Sequence, residues 1–435
     1  MSDISSYKKQ IDEEINNGNS LETSIEDITS NNSINYEKKK RLDSLDFVKG
    51  LAIILIILSH LSDTWLSPDW RFLFGIGTAF LDIFGPSLFI LLSALSVVFS
   101  IKKKKDIISE KVIRNKILFR GLAIMVIGLI YNFGFSFIRP DESPYKIFPF
   151  NQFPLTLWGW NILFFMGFTQ IASYYILKLN INLRIVIGIL IIIIGPLLRE
   201  FIFDNRDLNP IYLWLDFFIT SPSPQLPFLP WVSICFISTA FGEYLYKMMV
   251  QGTKDALIKL YKGFFISGII FIISGIIIGF RLHTSSTIDI NLYETIDWLT
   301  IANSQKFISF QFPGMPEFLI RSTISNMFYL LGWALLIIAI CIYYIDIKGK
   351  RNKFNNMIIF YGKSSLSLFL IMFSFIYFFK AGLPTWFFLV AYFGILAVLG
   401  FLMYIWIGYF NGIGTPEWIM GKIGGIANRK ELKKE

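Results

Sequence analysis

The chain is 435 residues long, 54% hydrophobic and 17% aromatic, with 16% charged residues and a formal net charge of +9. Soluble domains average about a quarter charged residues, so this composition excludes a soluble globular protein and marks an integral membrane protein. Its two cysteines, Cys235 and Cys341, fall in separate apolar segments, which leaves neither a disulfide framework nor a cysteine metal site to be read.

Residues 1–37 are rich in Asn, Ser, Asp and Glu and hold only Lys8 and Lys9 as cations. Such a stretch buries too little apolar surface to offset the entropy of ordering, so 1–40 is expected to be a disordered, acidic, polar cytoplasmic tail. Because about forty polar residues precede the first apolar run, no secretory signal is expected. After Lys38–Arg41 the membrane region begins. Windows of roughly 20 apolar residues lie near 45–66, 80–101, 117–138, 155–177, 184–203, 228–247, 263–281, 322–345, 357–379 and 385–410. Alternate connections between them carry 28 Lys and Arg on one side and 9 on the other. By the positive-inside rule this places both termini in the cytoplasm, an orientation that only an even number of crossings allows. The expected fold is therefore all-α: a polytopic bundle of about ten transmembrane helices, one domain over 41–420, with a basic cytoplasmic tail at 421–435. The outer connections 139–154, 204–227 and 282–321 are long and rich in Pro and aromatic residues, so the recognition surface is expected outside. No internal repeat is visible, which disfavours the inverted-repeat transporters.

The first apolar helix contains "FVKGLAIILIILSHLSD", with one cation near its start and one of only two histidines near its end. Eleven residues separate Lys49 from His60, about 20° beyond three full helical turns, so both project from one face. Asp46 and Asp63 widen that face into a polar stripe, which in a membrane helix turns toward the bundle interior or a wet cavity. His60 stands roughly 21 Å above Asp46, some two thirds of the way across a ~30 Å hydrocarbon core. The plain alternative is that Lys49 snorkels to the inner headgroups while His60 sits at the outer interface. The functional reading makes His60 a general base, because imidazole titrates nearest neutrality, with Asp63 holding its tautomer.

"RLDSLDFVKGLAIILIILSHLSD" resembles the first helix of the acyltransferase-3 and heparan-α-glucosaminide N-acetyltransferase-like membrane enzymes. Their pattern falls here on Arg41, Leu45-Asp46, Lys49-Gly50-Leu51-Ala52 and His60. "FLDIFGPSLFILLSALS" (80–96) is similar to the second helix of these enzymes, and "RNKILFRGLAIMVIGLIYN" (114–132) to the basic approach to the third. "WGWNILFFMGFTQI" (158–171) and "YGKSSLSLFLIMFSF" (361–375) resemble later segments. Lys49 stands where arginine is commoner, and the loop 64–80 lacks the histidine that the human lysosomal branch carries there. The resemblance implies acyl transfer from cytoplasmic acyl-CoA, most simply acetyl-CoA, to a hydroxyl or amine of a sugar or lipid-linked glycan outside, with His60, Asp63 and Lys49 as the catalytic set.

Among the remaining polar residues, Arg71, Asp82 and His283 lie on the outer side and are assigned to acceptor binding. The plain reading of Asp82 is a helix cap, and that of His283 a surface histidine in a polar loop. Lys102–Lys105 with Arg114, Lys116 and Arg120 form the strongest basic cluster. It serves topology and attraction to anionic lipid on one reading. On the other it docks the phosphates of coenzyme A, where Arg114 and Arg120 have the better geometry and Lys116 assists. No zinc pattern, phosphate loop or nucleophile elbow is present, so no metal is expected. The basic charge lacks aromatic interleaving, so nucleic acid is excluded as a partner; the bilayer is the certain partner, and a homodimer is left open. A transporter using the Lys49/His60 stripe as a proton or substrate path is the alternative to an enzyme.

Overall fold

The computed structural model describes residues 42–105, 109–138, 154–220, 226–304, 310–376 and 378–429. The tail expected at 1–40, Arg139 and Lys146 of the first long outer connection, and Lys306 lie outside these residues. The longer helices, named here in chain order, are α1 (Asp43–Trp65), α2 (Phe72–Leu81), α3 (Pro86–Lys104), α4 (Glu110–Ile138), α5 (Ile162–Ile176), α6 (Ile181–Asn205), α7 (Pro210–Leu215), α8 (Ser233–Gln251), α9 (Lys254–Ile278), α10 (Asp297–Ala302), α11 (Ile324–Cys341), α12 (Lys353–Lys363), α13 (Ser365–Met372), α14 (Thr385–Phe410) and α15 (Pro416–Arg429). The strands described are β1 (Leu282–His283) and β2 (Met315–Pro316), which pair antiparallel inside the outer connection 282–321.

Local sequence sets the helix ends. Asn161, Asn180, Thr253, Thr323 and Asn352 each cap a helix by accepting a backbone N–H with the side-chain oxygen, which satisfies a donor the helix itself cannot. Pro86 opens α3, where its missing N–H costs nothing, and Lys102, Lys103 and Lys104 close it at the negative end of the helix dipole. α8 ends at Gly252, whose φ of 63° lies in the left-handed region.

The spans through Phe72–Lys104, Phe228–Gln251 and Ile324–Ile347 are 67%, 67% and 72% buried, whereas those of α4 and α9 are 22% buried and α6 and α14 are 28% buried. α3, α8 and α11 thus form the central column, and the others turn Ile, Leu, Phe and Val toward lipid. Among the described residues, eight helices are long and apolar enough to cross a membrane, or nine if the α12–α13 pair, bent by 82°, is one span. The window at 155–177 yields only the 15-residue α5, roughly 22 Å long.

The packing nevertheless requires α5 as a crossing. The segment 351–383 runs alongside α1 in the same direction: Arg351 pairs with Asp43, Phe369 and Phe373 meet His60, and Leu383 bridges Leu66 in parallel. α12 and α13 must then be an odd-numbered crossing, which they are only if α5 is counted. The same alignment explains Gly50 and Gly362. A Cβ on Gly50 would strike the carbonyl of Ile358, and one on Gly362 the carbonyl of Asp46, so the two helices cross backbone to backbone.

At the opposite end, the connection 282–321 is fastened to α6. Buried Arg199 donates to the Leu292 carbonyl and lies 5.0 Å over the Tyr293 ring, whose hydroxyl donates to Glu200 at 2.7 Å. Burial, and less so the Glu200 carboxylate, pushes the Tyr293 phenol well above its ordinary range, so it stays a neutral donor.

Candidate active site

His60 lies in the last two turns of α1, with its ring turned toward Phe369 and Phe373 at α13. Phe373 and Phe369 meet it edge-on at 5.6 and 6.3 Å between centroids. Tyr131 of α4 closes the group, 4.7 Å from Phe373 and 6.2 Å from Phe369. Two aromatic rings therefore pack against the imidazole, and Tyr131 backs them from α4. Among the described residues no hydrogen bond reaches its nitrogens. Asp63, expected to orient the ring, instead accepts from Arg71 at 2.8 Å, and this ion pair is half open to solvent. Lys49 also stands apart: its ammonium is 4.0 Å from buried Asp46 at the basic end of α1, roughly 16 Å along the axis from His60. The catalytic set His60, Asp63 and Lys49 is thus on one helix without forming one constellation.

The largest polar feature near His60 was not visible in the sequence. Asp82 and Arg321 form a buried, forked ion pair: Arg321 Nε lies 2.9 Å from both carboxylate oxygens, and Nη2 donates to Oδ1. The guanidinium lies 4.8 Å over the Trp298 ring, and the Arg321 backbone N–H donates to Thr295 Oγ1 at 3.0 Å. Asp82 is therefore neither a free helix cap nor an open acceptor ligand. Arg321, counted in the sequence only toward charge bias, sits 239 residues away, and no local pattern joins the two. Asp63 and Arg321 are the charged groups whose fields act on the His60 ring.

His283 is not a surface histidine. It is buried in β1, with Nε2 3.4 Å from Glu317 Oε2 and Nδ1 3.4 Å from Thr287 Oγ1. Glu317 in turn accepts from Ser325 Oγ at 3.2 Å. His283 anchors the outer connection to α11, and of the three residues assigned to the acceptor only Arg71 is open to it.

At the basic end, α3, α4 and α5 line a small pocket of about 30 Å³. Lys104, Lys116 and Arg120 supply its cations, Ser100 and Gln170 its neutral polar groups, and Val97, Val112, Ile113 and Ile117 its apolar wall. The sequence choice of Lys116 and Arg120 falls on this pocket. Arg114 does not line it and points outward. Lys102 is also directed elsewhere, binding Glu243 at 2.7 Å together with buried Arg184. Lys104, one of four adjacent lysines, is the member of that run turned inward. Only the pairing of α3 with α4 reveals which.

Pocket and ring cluster share one helix face. Arg120 and Tyr131 are eleven residues apart on α4, so they project within about 20° of each other and roughly 16 Å apart along the axis. Ile124, fully buried, lies on the stripe between them.

Residues 41–268 match the family model described as the catalytic domain of heparan-alpha-glucosaminide N-acetyltransferase. No curated protein matches the chain.

Proposed function

This chain belongs to the heparan-alpha-glucosaminide N-acetyltransferase family and is a membrane-embedded acetyltransferase, and from that premise we propose that it carries an acetyl group from acetyl-CoA at its basic, cytoplasmic end to an amine or hydroxyl of a sugar or lipid-linked glycan at its outer end. The observation that carries the reading is the single face of α4 that joins the basic pocket to the ring cluster around His60. It connects a place for phosphates with a place for proton transfer across the apolar interior.

The charge at the mouth of this pocket suits the phosphates of the donor. Three cations converge on it, and the guanidinium of Arg120 suits phosphate oxygens. When bound, the donor supplies an activated thioester. His60 takes the proton from the acceptor nitrogen or oxygen as that atom bonds to the acetyl carbon. The carbon–sulfur bond breaks, and His60 returns the proton to the departing sulfur. Phe369 and Phe373, backed by Tyr131, hold the imidazole in place and keep water from the thioester. The Asp82–Arg321 pair fixes the neighbouring wall. Asp63 is left out of the relay because its carboxylate is committed to Arg71.

The test is direct. Purified protein in detergent, given labelled acetyl-CoA and a mixture of amino sugars, should release coenzyme A thiol and label the sugar, and His60→Ala should abolish both. A transporter would leave acetyl-CoA intact in detergent, and that result would overturn the proposal.

A further inference from the structure

α13 begins where the chain turns by 82° out of α12, and its first turn is buried at Leu366 and Ser367. The first N–H groups of a helix have no partner within it, and in a membrane interior an unpaired N–H is costly. Ser364 stands at the N-cap position but makes no cap, because its Oγ donates to the Phe360 carbonyl at 2.9 Å. The cap comes instead from α15. Glu417 Oε1 accepts from the backbone N–H of Leu366 at 3.1 Å and from that of Ser367 at 3.0 Å, the two positions a capping side chain ordinarily serves. Its Oε2 accepts from Ser367 Oγ, and its negative charge meets the positive end of the helix dipole. A reversal of the chain delivers Glu417 there: Asn411, Gly412 and Gly414 take left-handed backbone, with φ of 49°, 66° and 85°. Thr415 Oγ1 then accepts from the Trp418 N–H at the start of α15, at 3.2 Å.

α13 is also the helix that brings the rings to His60. Phe369 lies two residues beyond Ser367, and Phe373 directly follows the helix end. The two rings are 5.3 Å apart, and both meet the imidazole edge-on. α15 packs against α13 and also against α4, whose Tyr131 backs the same rings. We propose that Glu417 is a positioning residue for His60: by capping α13 from α15 it holds Phe369 and Phe373 against the imidazole and keeps that ring aimed for proton transfer. This rests on the reading of His60 as the general base. Glu417 touches no reacting group. It acts through a helix of 8 residues, too short to be stable by itself and roughly 12 Å long, so a cap lost at one end is felt by the rings at the other.

The experiment uses the full chain in detergent, with labelled acetyl-CoA and amino sugars, and measures kcat and KM for acetyl-CoA in Glu417→Ala, Glu417→Gln, His60→Ala and the Glu417→Ala/His60→Ala pair. Glu417→Ala should lower kcat roughly 5- to 30-fold, the factor equivalent to losing one helix cap, and leave KM unchanged. Glu417→Gln keeps an acceptor oxygen for both N–H groups and should recover most of that loss. In the His60→Ala background, Glu417→Ala should take nothing further from the residual turnover, because the ring it positions is gone. Should Glu417→Ala fail to accumulate as monodisperse protein, Ser367→Ala, which removes only the hydroxyl donor to the same carboxylate, takes its place in the cycle with a smaller loss expected. An equal loss with and without His60, a loss in Glu417→Gln as large as in Glu417→Ala, or an unchanged kcat in Glu417→Ala would overturn this inference while leaving His60 as the base. Full turnover in His60→Ala would remove the base itself, and this inference with it.

Discussion

Replacing Arg321 by Met removes one half of an ion pair whose side chains are 10% and 3% exposed. Asp82 would then remain as a buried carboxylate without its cation, in contact with the protein interior on every side but its former partner. Removing one member of a buried pair costs about 3–5 kcal/mol, because the survivor keeps its desolvation penalty and loses its compensation. The lost stacking on Trp298 adds up to about 2 kcal/mol when desolvated. Asp82→Leu should be comparably damaging, since it strands the guanidinium. The double variant Asp82→Leu/Arg321→Met leaves no buried charge, so it should be more stable than either single variant. The assay is the temperature at which half of the detergent-solubilised protein remains monodisperse by size-exclusion chromatography, for the four proteins in the same detergent. Additive losses in the double variant, or single variants that melt with the wild type, would show that the pair is not the buried, mutually dependent unit described here.

His60→Ala should lower turnover roughly 10²- to 10⁴-fold, the usual span for losing a positioned proton acceptor, with coenzyme A affinity unchanged. Asp63→Asn, in contrast, should keep turnover within a few-fold of wild type in the same assay, since its carboxylate serves Arg71. Gly362→Leu should prevent accumulation of monodisperse protein, because its side chain would displace α1 at Asp46; normal yield and melting would refute the helix crossing. For topology, single cysteines at Pro68 and Ser285 should both react with an impermeant thiol reagent added outside cells, and those at Gln251 and Lys350 should not. Labelling of Pro68 and Ser285 from opposite sides would remove α5 from the count of crossings.

Periodicity and composition alone determined the membrane class, the positions of the long helices and their charge bias, because a bilayer demands about 20 apolar residues per span whatever the packing. The 3.6-residue repeat likewise placed Lys49 and His60 on one face of α1, and the local pattern around Gly50 and His60 carried the family resemblance. Those are properties of one helix, and one helix can be read from its own residues. The tertiary structure decided which neighbours each polar group meets. Asp63 is three residues from His60 yet answers to Arg71; Asp82 looks like a cap yet holds Arg321; His283 looks exposed yet is buried in β1 between Thr287 and Glu317. Of four consecutive lysines, Lys104 enters the pocket and Lys102 turns to Glu243. α5 falls short of span length, and only the parallel alignment of 351–383 with α1 requires it to cross. Each of these outcomes depends on contacts between segments far apart in the chain. Their energies come from burial and pairing in a low-dielectric interior, quantities that no local stretch of sequence contains.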